Sequence, residues 1–179
     1  IKHMISNHFF QIIFPLILGY FFGCIQTSYF IGRFKFKVDV KNQGSKNAGA
    51  SNSVVLFGWK FGIFVFIVDV LKASIPVLII LSIFNKNFFF ASLAGAGAIL
   101  GHIYPFFMNF NGGKGFSCYL GLLMGLDFMF GLLASLATGI LVMVTNYVAV
   151  GTILILIFIP IFLYFLCDTL TFNFLIIMI

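Results

Sequence analysis

Acidic residues are nearly absent from this chain of 179 residues: it has no glutamate and four aspartates, against ten lysines and arginines. Charged side chains of either sign make up only 8%, where a soluble domain carries about 25%. A chain so poor in charge cannot cover itself with a normal wetted surface. The four acids, Asp39, Asp69, Asp127 and Asp168, stand far apart. No carboxylate cluster for Mg2+ exists, which argues against metal-dependent phosphotransfer. Cysteine is scarce too. Cys24, Cys118 and Cys167 are widely spaced, without a CxxC pair or a Cys/His cluster, and read as small core residues rather than disulfide or metal positions. The chain also lacks GxSxG, HExxH and the GxxxxGK[ST] phosphate loop, the signatures of serine hydrolases, zinc proteases and P-loop nucleotidases. A His-x4-Asp pair is missing as well, which argues against acyltransferases of the soluble type.

What the chain has in excess is apolar sequence. Hydrophobic residues make up 62% and the mean hydropathy is +1.18. Runs of about 20 apolar residues recur, each long enough to cross a bilayer as a helix. Backbone groups in lipid must be paired internally, so only helices or a closed barrel can span. The runs lack the in-out alternation of barrel strands, so the expectation is an all-α integral membrane protein: one polytopic domain, 1–179, with seven transmembrane helices. The spans are read at Phe9–Gly32, Val54–Phe84, Phe88–Met108, a short piece ending at Leu126, Phe128–Thr145, Val148–Leu166 and a last one from Thr169. The piece ending at Leu126 is too short to span untilted. Met4 is expected to be the native start, residues 1–3 being an addition, and the C-terminus is expected to be cut short.

The excess of cations, +6 in formal charge, would suggest nucleic acid in a soluble protein. Here the cations sit between spans, where orientation and anionic headgroups account for them, and no nucleic-acid partner is expected. Arg33, Lys35, Lys37, Lys41 and Lys46 cluster between spans one and two, against Asp39 alone. The positive-inside rule puts that segment in the cytoplasm and the N-terminus outside. Counting onward, 109–115 and the Thr145-Asn146-Tyr147 junction face the cytoplasm as well. Three polar segments on one side are the first clue to function.

The first polar segment contains Gly44-Ser45-Lys46-Asn47-Ala48-Gly49-Ala50-Ser51-Asn52 just before a helix. Glycines permit close backbone approach, and the free N–H groups of turns and helix starts attract anions. The same residues would also serve as an interfacial turn capped by Ser51 or Asn52. The second reads Asn109-Phe110-Asn111-Gly112-Gly113-Lys114-Gly115. Bare backbone donors and one ammonium could converge on phosphate oxygens there, or the segment is a flexible loop whose lysine obeys the orientation rule. His102 ends span three within Gly101-His102-Ile103-Tyr104-Pro105, and could donate to phosphate, move a proton, or pack. Asp69 and Lys72 share a face inside span two and can pair. Gly95 and Gly97 suit close helix packing better than nucleotide binding.

In their order, these segments resemble the bacterial acyl-phosphate-dependent glycerol-3-phosphate acyltransferases, the PlsY family. The resemblance runs from Gly23–Arg33 through Gly44–Asn52, Asp69-x-x-Lys72, Gly101–Pro105, Gly112–Gly115 and Thr145-x-Tyr147-x-x-x-Gly151-Thr152, and covers about residues 16 to 160. It implies a seven-helix protein of the inner (plasma) membrane with its site on the cytoplasmic face. It implies transfer of an acyl group from acyl phosphate to the 1-position of glycerol 3-phosphate, giving lysophosphatidic acid. No cofactor, no metal and no obligate protein partner are expected; membrane lipids are. The resemblance implies Ser45, Lys114 and His102 as catalytic residues, and Gly44, Lys46, Asn47, Gly49, Asn52, Gly112 and Gly113 as the phosphate-binding set. Four departures stand out: Lys46, Val55 and Asn146 replace the usual glycine, arginine and arginine, and the basic His/Asn element near the C-terminus is missing. Three alternatives stay open at this point: a relative with another acceptor, a non-catalytic lipid- or anion-binding protein, and a transporter.

Overall fold

A computed structural model describes the backbone of residues 2–166 and the side chains of residues 9–157. The last expected span, from Thr169, lies outside the described residues. Within them the chain is all-helical: α1 (Lys2–Gly23), α2 (Thr27–Ile31) running into a π-helical turn (Gly32–Phe36), α3 (Ala50–Phe57), α4 (Trp59–Ile83), α5 (Phe88–Ile103), a 3-10 turn (Phe106–Met108), α6 (Phe116–Leu126), α7 (Phe128–Thr145) and α8 (Val148–Leu166). Four helical stretches are long and apolar enough to cross a membrane: Phe9–Phe36, Trp59–Ile83, Phe88–Met108 and Phe128–Thr145. Their outer faces carry Ile67, Leu71, Leu133, Leu136, Ile140 and Met143 in the open, as an apolar solvent requires and water does not.

Three expected spans are more broken than hydropathy suggests. Span one is interrupted between Gly23 and Thr27. The break frees backbone carbonyls inside the bundle, and buried polar side chains take them up. Gln26, fully buried, donates to Gly23 O at 3.5 Å, and Lys72 donates to Ile25 O at 2.7 Å. Unpaired carbonyls at such depth would cost several kcal/mol each, an order-of-magnitude figure for polar groups in hydrocarbon. Span two is interrupted at Gly58, whose φ of 87° and ψ of 166° form a combination open essentially to glycine alone. Span three stops at Ile103, because Pro105 follows and the chain turns at Phe106–Met108. The polar segment before α3 is capped at Gly49 rather than at Ser51 or Asn52.

The interior is organised around α5 and α6. On α5, a Cβ at Gly97 would strike the Leu16 carbonyl and one at Gly101 the Tyr20 carbonyl, so α1 and α5 pack backbone to backbone. Gly95 faces Leu122 of α6. Close packing, not nucleotide binding, is therefore the use of these glycines. The short α6 lies in the core: Tyr119, Leu120, Leu122 and Leu123 are buried against Val70, Val77 and Ile80 of α4 and Ala91 and Ala94 of α5, and Cys118 against Ala73 and Ala98. Ser74 of α4 locks the α4–α6 contact by donating to Gly121 O at 2.8 Å. Helices α5 and α7 start cleanly because Asn87 and Asp127 accept the Phe90 and Phe130 N–H groups at 3.3 and 2.7 Å.

Candidate active site

The first polar loop is shaped by one buried amide. Asn52 in the first turn of α3 is fully buried. Its Oδ1 accepts from the Ser45 N–H at 2.8 Å, and its Nδ2 donates to Val40 O at 3.0 Å and Gln43 O at 3.1 Å. Gly44 turns with φ of 60°, and a Cβ there would collide with Asn52 Oδ1. The loop therefore wraps around the Asn52 amide, and that side chain is wholly engaged with the loop's own backbone. Ser45 is held over the start of α3 with its hydroxyl exposed and unpartnered among the described residues. Lys46 is exposed beside it, in the left-handed region at φ of 56°. Asn47 is half-buried, and its amide lies about where a Cβ on Gly49 would reach. The N–H groups of Ala50, Ser51 and Asn52 open α3 without an acceptor in the described chain.

The second loop folds back on the end of α5. Gly112 donates to Ile103 O and Gly113 to His102 O, both at 2.9 Å. This corrects the expectation that these two glycines offer bare backbone donors, since both amides are occupied. They are glycines because the turn is packed against α5. A Cβ on Gly112 would strike the His102 carbonyl, and one on Gly113 the His102 ring at Nε2. Gly115, at φ of 83°, then starts α6. Lys114, between them, is exposed, and its ammonium has no partner among the described residues.

The two loops meet. Lys41 Nζ donates to Met108 O at 2.9 Å, and Val40, Ala48 and Met108 form a small buried core with Tyr29, Leu56 and Phe57 against it. Arg33 donates to the Tyr29 hydroxyl at 2.5 Å, and the Tyr29 and Phe30 rings lie 6.1 and 5.7 Å from Phe107. The segments before α3 and before α6 are thereby fixed to each other at one end of the bundle. Asp39 is the one acid in the first loop; it turns its own strand of chain by accepting from the Lys41 N–H at 2.9 Å and Asn42 Nδ2 at 3.1 Å.

Below the loops lies a buried polar knot. Lys72 reaches Asp69 Oδ1 at 2.7 Å and His102 Nδ1 at 2.8 Å, and Gln26 donates to His102 O at 2.8 Å. Asp69 and His102 are 3.8 Å apart. The expected Asp69–Lys72 pair is present and has gained a third member. His102 is 2% exposed, so it supports the second loop from inside rather than lining its surface. Two residues of this arrangement escape a reading of the sequence. Gln26 signalled itself only as a lone amide in an apolar run, and Lys41 was indistinguishable from its cationic neighbours. At the positions where the resemblance implies arginines, Val55 is 69% exposed on α3, and Asn146 is exposed and left-handed at the end of α7.

Comparison with known proteins agrees across sequence and structure. The family described as "Glycerol-3-phosphate acyltransferase" matches residues 13–179. Glycerol-3-phosphate acyltransferase 1 of Oceanobacillus iheyensis is 37% identical over 147 residues, covering 76% of this chain and 69% of the relative. The glycerol-3-phosphate acyltransferase of Thermoanaerobacter pseudethanolicus is 40% identical over 138 residues, covering 76% and 68%. Among solved structures, the glycerol 3-phosphate form of PlsY (YgiH), an integral membrane glycerol 3-phosphate acyltransferase, superposes with a TM-score of 0.85 at 31% identity, over 93% of this chain and 84% of that one. Its lysophosphatidic acid form gives 0.82 at 30% identity, over 93% and 83%.

Proposed function

The chain belongs to the glycerol-3-phosphate acyltransferase family and is a membrane acyltransferase of phospholipid synthesis; we propose that its donor is an acyl phosphate and that the two clasped loops are its active site. The observation that carries this reading is the meeting of the loops. Two ammonium groups without a counter-charge among the described residues, Lys46 and Lys114, precede the N–H groups that begin α3 and α6 and have no acceptor there, and Lys41 and Met108 tie the two loops together. Helix starts and unpaired cations are what dianionic phosphates require.

In this reading the 1-hydroxyl of glycerol 3-phosphate attacks the carbonyl carbon of the acyl phosphate. A new C–O ester bond forms, the bond to the phosphate oxygen breaks, and inorganic phosphate leaves with the electron pair. The hydroxyl proton goes to a phosphate oxygen of the substrate, and the product is lysophosphatidic acid. Acyl phosphate is already activated, so no covalent intermediate is needed. Placement of the two substrates and neutralisation of phosphate charge supply the rate. Lys114 and the Ser45 hydroxyl contact phosphate, Lys46 adds a second charge, and Asn47 and Gly49 shape the approach. Asn52, Gly44, Gly112 and Gly113 hold the loops in place. Seven spans, an outer N-terminus and a cytoplasmic site in the plasma membrane complete the proposal, supported by the five cations that precede α3.

The deciding experiment is acyl transfer by purified protein with palmitoyl phosphate and glycerol 3-phosphate, comparing wild type with Lys114→Ala. The variant should fold normally and lose turnover by a factor on the order of 10²–10³, as loss of one preorganised charge stabiliser does. Wild-type turnover in Lys114→Ala would remove the second loop from the site.

A further inference from the structure

Lys72 lies in the middle of α4 and is 3% exposed. Its ammonium has three protons to donate and can accept none. Three acceptor atoms stand around Nζ at bonding distance: Asp69 Oδ1 and Ile25 O at 2.7 Å, and His102 Nδ1 at 2.8 Å. Ile25 O and His102 Nδ1 share its hydrogen bonds, and Asp69 Oδ1 lies alongside as an ion pair. A ring nitrogen facing that ammonium must offer its lone pair, because a protonated Nδ1 would set two donors against each other at 2.8 Å. In the neutral ring the proton then sits on Nε2. That nitrogen makes no hydrogen bond among the described residues and lies against Gly113, where a Cβ would collide with it. The carbonyl of His102 meanwhile accepts from the Gly113 N–H at 2.9 Å and from Gln26 Nε2 at 2.8 Å. Ring and carbonyl together grip the turn one residue ahead of Lys114.

We propose that Lys72 is a positioning residue for acyl transfer: it holds His102 as the neutral, Nε2-protonated tautomer against Gly113, so that the turn carrying Lys114 has one geometry and His102 does not serve as the proton acceptor. This rests on the reading that Lys114 contacts substrate phosphate. The surroundings of His102 contain few groups that could change its state. Besides Lys72, α4 brings Asp69 at 3.8 Å. Helix α6 brings Cys118, whose thiol donates to Asp69 O at 3.4 Å. Helix α1 brings Tyr20, whose hydroxyl donates to Tyr104 O at 2.8 Å, and the buried Cys24 beside Gly101. The α1–α2 corner brings the uncharged Gln26, and Lys114 of the loop is exposed. With Lys72 and the Asp69 charge removed, nothing charged fixes which ring nitrogen holds the proton.

The test is the nitrogen-15 spectrum of the histidine-labelled 179-residue chain in lipid, with His3→Gln and His8→Gln so that His102 is the one histidine left in it. An unprotonated Nδ1 and a protonated Nε2, unchanged from about pH 6 to 8, where a free imidazole titrates, are expected. Lys72→Met combined with Asp69→Asn replaces the buried pair by neutral groups of similar shape, a change folds usually tolerate. In that double variant Nδ1 should gain proton occupancy, and kcat of the folded protein should fall roughly a hundredfold, the scale of a small misplacement at a reacting centre, while the freed Ile25 carbonyl lowers the thermal midpoint by less than Lys72→Met alone does. A wild-type His102 that titrates in this range or carries its proton on Nδ1 overturns the proposal. So does a double variant that keeps wild-type turnover. Should that variant fail to fold, the wild-type spectrum alone decides. The spectrum does not depend on the role of Lys114, whose own failure would show as full turnover in Lys114→Ala with the His102 signals unchanged.

Discussion

The interior of this bundle and its polar end use lysine in opposite ways. Lys72 is engaged by two hydrogen bonds and an ion pair, while the side chains of Lys46 and Lys114 have no partner within the described chain. An ammonium saturated by its own fold has nothing left for a ligand, and its removal is felt as lost architecture. An unsaturated one contributes little to the fold and is free to meet an anion. The same contrast runs through the amides. Asn52, Gly112 and Gly113 match phosphate-binding positions by motif, yet their donors are spent on the loops themselves. The first turns of α3 and α6 keep theirs open.

The sharpest way to break this comparison is to remove one charge from each region. Lys72→Met alone strands Asp69 without a counter-charge, and breaking a buried pair costs about 3–5 kcal/mol. The thermal midpoint should fall steeply. Lys114→Ala should leave that midpoint alone and stop turnover. If both variants lose stability equally, the division into architecture and site is wrong. Next in size is Gly113→Ala. The added methyl meets His102 Nε2, and His102 cannot yield while Lys72 holds its other nitrogen. The turn must shift instead, and kcat should drop by about 10²-fold with little change in KM. A fall in KM affinity at constant kcat would place the effect on binding and not on alignment.

A smaller effect is expected from supplying the arginine that the family resemblance implies at position 55. Val55 is exposed on α3, so an arginine there would meet no packing obstacle. One charged hydrogen bond contributes roughly 1.5–3 kcal/mol, and Val55→Arg should lower KM for glycerol 3-phosphate about tenfold or more. Unchanged KM would mean that position 55 does not reach the substrate in this chain.

Much of the helical architecture was legible because hydrophobic runs are a first-order signal. Span positions at α5, α7 and α8 needed no more than that. The breaks at Gly23–Gln26 and Gly58 were invisible for a physical reason. Hydropathy measures transfer of side chains, and a helix break is decided by whether its carbonyls find donors, here Gln26 within the first break and Lys72 from α4. The phosphate-seeking reading of the loops, which the proposed function keeps, came from glycine, hydroxyl and lysine at a helix start, residue types that carry that chemistry locally. What could not be read was which donors face outward. Gly113 as a bare donor and Gly113 as a seat for the His102 ring have the same sequence, and only the packing of α5 separates them.

The smallest effect tests the comparison at its weakest point, Lys46. This residue stands where the family resemblance implies a glycine, and its backbone is left-handed at φ of 56°. A side chain costs about 1–2 kcal/mol there relative to the right-handed region, whereas glycine does not incur that cost. Lys46→Gly should therefore stabilise the protein by about 1 kcal/mol. Retaining a lysine against that preference makes sense if its ammonium replaces a cation absent at Val55. On that account Lys46→Gly gains stability while KM for glycerol 3-phosphate rises severalfold, and Val55→Arg added to it brings KM back down. A variant that is more stable with KM unchanged would make Lys46 an ordinary solvated lysine in a strained turn, and would leave Lys114 as the site's only working cation.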